Sequence, residues 1–142
     1  MLGEGVTVRL AREADVQAVL GLWEEERSGH ASMPDRAEDV GRLVSGSPAA
    51  LLVAERGDEV IGALIAAWDG WRGNMYRLAV RAEERRRGVG IELVRAGEEY
   101  LRARGASRVT ALVAFDDAAA GAFWEAAGYP RDEQIGRRVR NL

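Results

Sequence analysis

The sequence has no cysteine, no lysine and a single histidine, His30. Without cysteine there is no disulfide, no thiolate metal ligand and no cysteine nucleophile. All 20 basic residues are therefore arginine, which removes Schiff-base chemistry and the lysine-dependent Walker phosphate loop. One histidine cannot supply a histidine-rich metal centre, so no metal is expected. No apolar run approaches the roughly 18 residues needed to cross a bilayer, which sets a membrane partner aside. The first residues lack the basic start and apolar stretch of a signal peptide, so a cytoplasmic location is the expectation.

A chain of 142 residues fits one domain, and 47% hydrophobic with 30% charged residues is ordinary for a globular protein. The formal net charge of −3 argues against a nucleic-acid partner, whose binders are usually clearly basic. There is no internal repeat, linker or low-complexity segment.

Val6 to Leu10 alternates apolar and polar residues and reads as a half-buried strand. Asp15 suits the start of a helix with Val16, Val19, Leu20 and Trp23 on one stripe, which makes Trp23 a core residue rather than a ligand contact. Ser28 to Ser32 is a polar loop in which His30 reads as solvated. Pro34 and Asp35 suit the opening of a second helix with Ala37, Val40, Leu43 and Val44 as its apolar face. Two β-rich runs follow, Ala50–Glu55 and Val60–Trp68, joined by a glycine-containing turn of hairpin length. After Asp69–Gly73 comes a strand from Asn74 to Val80, then a long helix ending near Arg104 with Gly105 behind it. The buried stripe of that helix is Leu93, Val94, Gly97 and Leu101. Arg108 to Phe115 reads as a strand, Asp117 as the cap of a last helix ending at Gly128, and Tyr129 to Leu142 as a final hairpin. Strand, helix and strand in this order imply a parallel pair with a right-handed crossover, in one mixed α/β domain.

The stretch Leu78 to Val94 organises this pattern. An apolar strand end leads through an acidic connection into Arg85-Arg86-Arg87-Gly88-Val89-Gly90, a basic glycine turn that opens a helix. Free amides and the positive end of the helix dipole make such a turn an anion site, most often for phosphate. A dinucleotide fingerprint fits poorly, because Leu93 stands where the third glycine is needed. Thr110 also falls near the position of the ribose-binding acid.

The pattern that fits is R-x-x-G-x-G, from Arg85, Gly88 and Gly90. Downstream, Asp117-x-x-Ala120-x-x-Phe123-Trp124-Glu125-x-x-Gly128-Tyr129 matches N-x-x-A-x-x-hydrophobic-Y-x-x-x-G-F. With these motifs in order after a fourth strand, the sequence resembles the GNAT superfamily of acetyl-CoA-dependent N-acetyltransferases. The Asp69-Gly70-x-Arg72-Gly73 segment is similar to one in small single-domain bacterial members. The resemblance runs from Val6 to Leu142. It implies an α/β fold of α+β type, with antiparallel N-terminal strands and a parallel, splayed pair around the central helix. It also implies an acetyl-CoA cosubstrate and an unidentified amine acceptor. Homodimers are common among proteins resembling this one.

The resemblance also assigns residues. Arg85, Arg86, Arg87, Gly88, Val89, Gly90 and Ile91 would hold the coenzyme A pyrophosphate. Pantetheine would pair with Leu78, Ala79 and Val80 beside a bulged fourth strand, and Asp117, Phe123 and Trp124 would flank the coenzyme. The Val80 amide would polarise the thioester carbonyl. Trp124 stands where a tyrosine often protonates the departing thiolate, and an indole N–H is no proton source. That leaves unassisted departure, water, Tyr76 or Tyr129. Asp117 replaces the usual asparagine and keeps its capping ability. Base candidates are Asp69 and Glu83 or Glu84. The expected function is acetyl transfer to a primary amine by direct attack in a ternary complex; the alternative is a non-catalytic acyl-CoA-binding module.

Overall fold

The two β-rich runs of the middle sequence are apolar at almost every position, so the strands they form must be covered on both faces. The structure, a computed structural model, describes residues 5–26, 34–45 and 49–142. His30 and its loop, with Gly46 to Pro48, lie outside the described residues. The chain divides into two compact units, Met1–Leu112 and Val113–Leu142.

The first unit is a five-stranded sheet in sequential order. Its strands are β1 (Val6–Leu10), β2 (Ala49–Arg56), β3 (Glu59–Trp68), β4 (Gly73–Val80) and β5 (Val109–Ala111). The first four are mutually antiparallel, and β5 lies parallel to β4. Gly57, at φ +61°, and Asp58 close the tight β2–β3 hairpin.

Helices α1 (Val16–Glu25) and α2 (Ala37–Ser45) cover one face. There Val19, Trp23 and Val40 pack with Leu51, Val53, Ala63 and Ala79. In α1 it is Leu22 rather than Leu20 that is fully buried, and Leu20 packs at the margin. Helix α3 (Val89–Ala103) covers the other face with Val89, Leu93, Val94, Gly97 and Leu101, and Gly105 follows it at φ +107°. It lies close to the sheet. A Cβ on Gly97 would sit 2.7 Å from the Met75 terminal methyl, and one on Gly62 would sit 2.9 Å from Leu93.

In the second unit, α4 (Ala118–Ala126) is capped by Asp117, whose side chain accepts from the Ala120 amide at 3.0 Å. Two expected elements differ. The strand anticipated over Arg108–Phe115 is only three residues long, because its ladder with β4 stops at Met75↔Ala111, just before β4 bulges. The anticipated hairpin over Tyr129–Leu142 does not form strands. Its larger aliphatic residues, Ile135, Val139 and Leu142, are four and three apart instead of alternating, and all are exposed. Among the described residues no helix is long and apolar enough to cross a membrane.

An arginine-centred network pins the start of this sheet. The Arg9 guanidinium bonds both Asp15 oxygens at 2.7 and 3.0 Å and both Glu55 oxygens at 2.9 and 3.0 Å. The Arg12 amide adds a bond to Asp15 at 2.7 Å. Hydrogen bonds from Arg9 hold both carboxyls below their ordinary range, with the Arg12 amide assisting at Asp15. A carboxyl depressed in the native state stabilises it at pH values above its unfolded pKa, near 4, and that stability is lost as pH falls through the native value. Urea midpoints measured against pH should fall on acidification below about pH 4. In Asp15→Asn the midpoint at neutral pH should be lower and that acid-side slope shallower.

Candidate active site

Backbone polarity along β4 follows from its pairing with β3. The Arg81 amide donates to the Ile61 carbonyl at 2.9 Å, so Ile61 and alternate residues Ala63 and Ile65 direct their backbone groups toward β4. Tyr76 lies opposite Ile65 and Ala79 opposite Ala63, so Arg77 and Leu78 together face Leu64 alone. This is a β-bulge, and Arg77 sits in it at φ +59°. Beyond the bulge the register has slipped by one residue. Val80 lies opposite Gly62, and its N–H and C=O point away from β3. On that outer side β5 pairs only with Gly73, Asn74 and Met75, so among the described residues the edge from Leu78 to Val80 has no ladder partner. The Val80 carbonyl accepts from Arg85 Nε at 3.3 Å.

The chain then makes a 3-10 turn, Ala82–Glu84, and a second turn before α3. Arg86 at φ +63° and Gly88 at φ +84° supply left-handed residues that reverse it. The Glu92 amide donates to the Gly88 carbonyl, closing the first helical turn. The amides of Val89, Gly90 and Ile91 precede that bond and have no acceptor within the helix. The partial positive charge of a 15-residue helix is concentrated there.

The three arginines are not equivalent. Arg85 pairs with Glu26 at the end of α1. Arg87 lies 3.6 Å from Glu84. Arg86 is exposed and has no ion pair among the described residues. Glu84, buried, is clasped by Arg56 at 2.9 and 3.1 Å. Hydrogen bonding to Arg56 holds the Glu84 carboxyl below its ordinary range. This pair fastens the acidic connection to the β2–β3 hairpin.

The candidate bases are far apart. Glu83 is exposed in the 3-10 turn, 3.9 Å from Arg81 and three residues past Val80. Asp69 precedes β4 at its other end, roughly 20 Å from Val80 at ordinary strand rise. One Asp69 oxygen accepts the Trp71 and Arg72 amides at 2.8 and 2.6 Å, and these bonds hold its carboxyl below the ordinary range. Trp71 is exposed, with the Arg72 guanidinium 4.2 Å from its ring centroid. Tyr76 is half-buried, before the bulge. In the second unit Trp124 is buried and meets Phe123 and Tyr129 edge-on, with centroids 5.5 and 5.1 Å away.

An unpaired β4 edge thus runs into a helix start whose first amides are open. The acetyltransferase (GNAT) family model matches residues 14–129. The chain belongs to the GNAT acetyltransferase family. It is 32% identical over 122 residues to a protein named acetyltransferase from Pectobacterium atrosepticum, covering 86% of each chain. A Photorhabdus laumondii acetyltransferase is 34% identical over 110 residues, 78% of this chain and 76% of that one. An aminoglycoside N-acetyltransferase solved with CoA shares the GNAT fold at TM-score 0.83 and 17% identity, covering 99% of this chain and 97% of that one. An aminoglycoside acetyltransferase from an uncultured soil metagenomic sample, solved with sisomicin, superposes at TM-score 0.81 with 18% identity and 97% coverage of both chains. This GNAT protein is accordingly an acetyl-CoA-dependent N-acetyltransferase.

Several participants gave no sequence signal in this GNAT chain. Arg77 at the bulge is neither glycine nor asparagine, the residues that usually mark positive φ. Glu26 and Arg56 reach the arginine turn from distant elements, and only the folded sheet brings them there. The left-handed Gly88 is testable in isolation. Gly88→Ala should lower stability by about 1–2 kcal/mol in denaturant titration, the cost of placing a Cβ in that region.

Proposed function

We propose that the protein moves an acetyl group from acetyl-CoA to a primary amine by direct attack within a ternary complex. The observation that supports this reading is the unpaired Leu78–Val80 edge leading into the α3 start. The pyrophosphate lies against the amides of Val89, Gly90 and Ile91, in the helix field, with the unpaired Arg86 as its arginine contact. Pantetheine adds to the open edge as a strand would. The Val80 N–H donates to the thioester oxygen as negative charge develops there. The family model spans both compact units, which supports treating the chain as one N-acetyltransferase domain. Asp117, Phe123 and Trp124 are proposed coenzyme contacts on the strength of the matching motif.

The amine nitrogen forms a bond to the thioester carbon and the C–S bond breaks, releasing coenzyme A thiolate. Before attack the ammonium gives one proton to a carboxylate at the Val80 end of β4, with Glu83 the proposed acceptor through water, and after attack the second nitrogen proton leaves to water or to the departing thiolate. Asp69 does not suit that role, because its carboxylate is committed to its own turn at the far end of the strand. The thiolate departs unassisted or with a proton from the Tyr76 phenol. The aminoglycoside acetyltransferases that share the fold make polyamines a reasonable first acceptor class.

Thiol release from acetyl-CoA across a panel of primary amines, sisomicin included, tests the reading, and the missing cysteine removes protein thiol background. Release should require an amine, with intersecting double-reciprocal lines. Parallel lines would contradict direct transfer. Acetyl-CoA binding by calorimetry without release on any amine would favour the non-catalytic acyl-CoA-binding module.

A further inference from the structure

The register slip that frees the Val80 amide depends on one strained residue, and α1 holds that residue in place. If β4 ran without a bulge, the Tyr76↔Ile65 pairing would continue residue by residue and set Val80 opposite Ile61. The Ile61 carbonyl, which now accepts from Arg81, would then take the Val80 N–H. No donor would remain for a ligand at that position.

The slip is absorbed at Arg77, whose φ of +59° is costly for a residue with a Cβ. Two contacts compensate. The indole N–H of Trp23, a residue only 4% exposed, donates to the Arg77 carbonyl at 3.0 Å. The Arg77 guanidinium pairs with Asp35 ahead of α2 and stands 5.1 Å from the Trp23 ring centroid. Both the backbone and the side chain of the bulge are thus tied to the α1–α2 face. The ring of Trp23 fills the core, but its N–H has a separate task that phenylalanine could not perform.

We infer that Trp23 is a positioning residue for the reaction: its indole N–H fixes the Arg77 bulge and so keeps the Val80 amide turned to the open edge. Asp35 assists through the Arg77 side chain. This rests on the reading of Val80 as the thioester-carbonyl donor, and its test includes a measurement that does not use activity.

Trp23→Phe keeps an aromatic ring and removes the N–H. Its kcat should fall at least roughly tenfold, a part of the roughly 100- to 1,000-fold loss that follows outright removal of an oxyanion donor. KM for acetyl-CoA should change less, because the pyrophosphate turn is untouched. Adding Arg77→Gly should restore most of kcat, since glycine adopts positive φ at no steric cost. Adding Arg77→Ala should not, since the Cβ remains. Amide hydrogen exchange reads the register directly. The unmodified protein should show Arg81 protected and Val80 fast, whereas Trp23→Phe should shift protection toward Val80.

Unchanged kcat and unchanged protection in Trp23→Phe would overturn the inference. So would a loss of kcat that Arg77→Gly fails to restore while the protection pattern stays as it was. Should Trp23→Phe fail to fold, Asp35→Asn replaces it, with a smaller kcat loss that Arg77→Gly again restores; no loss there overturns the proposal. If the unmodified protein neither binds nor turns over acetyl-CoA, the functional reading fails, and the exchange pattern still decides the register claim.

Discussion

A one-residue slip in the pairing of β3 and β4 governs which backbone groups this sheet leaves free. Antiparallel pairing consumes backbone groups on alternate residues, so a change of register by one exchanges which amides are used and which are free. The slip at Arg77 assigns the Ile61 carbonyl to Arg81 and turns Val80 outward. It also explains why β5 is short. The parallel ladder ends at Met75, and the bulge two residues later carries β4 away from its neighbour. The strand is opened along the same few residues where a free amide is presented.

The turn that follows is held by charge pairs rather than by bulk. Glu84, buried in the acidic connection, is gripped by Arg56 from the hairpin, and Arg85 is drawn to Glu26 at the end of α1. A basic run that looks uniform in sequence is therefore divided by its partners. Arg85 and Arg87 face carboxylates, while Arg86 stands free of ion pairs among the described residues. The left-handed residues Arg86 and Gly88 then aim the start of α3 so that its first amides are open. Neutralised neighbours keep the local positive field with the helix terminus and one guanidinium instead of a diffuse cationic patch.

Much of this was legible from residue order. The buried stripe of α3, its end at Gly105, the Asp117 cap and the Gly57 hairpin all follow local rules, and each appears where periodicity and turn chemistry put it. The turn at Arg85 to Gly90 and the helix start behind it were also readable, since glycines, arginines and an apolar stripe coincide there. The bulge was implied only by resemblance, and its residue not at all, because Arg77 takes a glycine-like conformation through contacts to Trp23 and Asp35 that lie 54 and 42 residues away in the chain. Trp23 fitted an apolar stripe so well that its polar edge went unread. Asp69, a base candidate from the sequence, accepts the Trp71 and Arg72 amides of its own turn, a local role that residue order did not reveal. The C-terminal stretch read as a hairpin from its position rather than its pattern, and its spacing does not alternate.

If the unpaired strand edge and the open helix start form one continuous ligand track, as proposed, coenzyme A must touch both. A backbone-amide NMR titration with coenzyme A tests it most directly. Shifts should concentrate on Leu78 to Val80 and on Arg86 to Ile91, with Arg81 little changed because its N–H stays on the Ile61 carbonyl. Shifts gathered elsewhere on the sheet, with Val80 and the α3 amides unmoved at saturation, would contradict it.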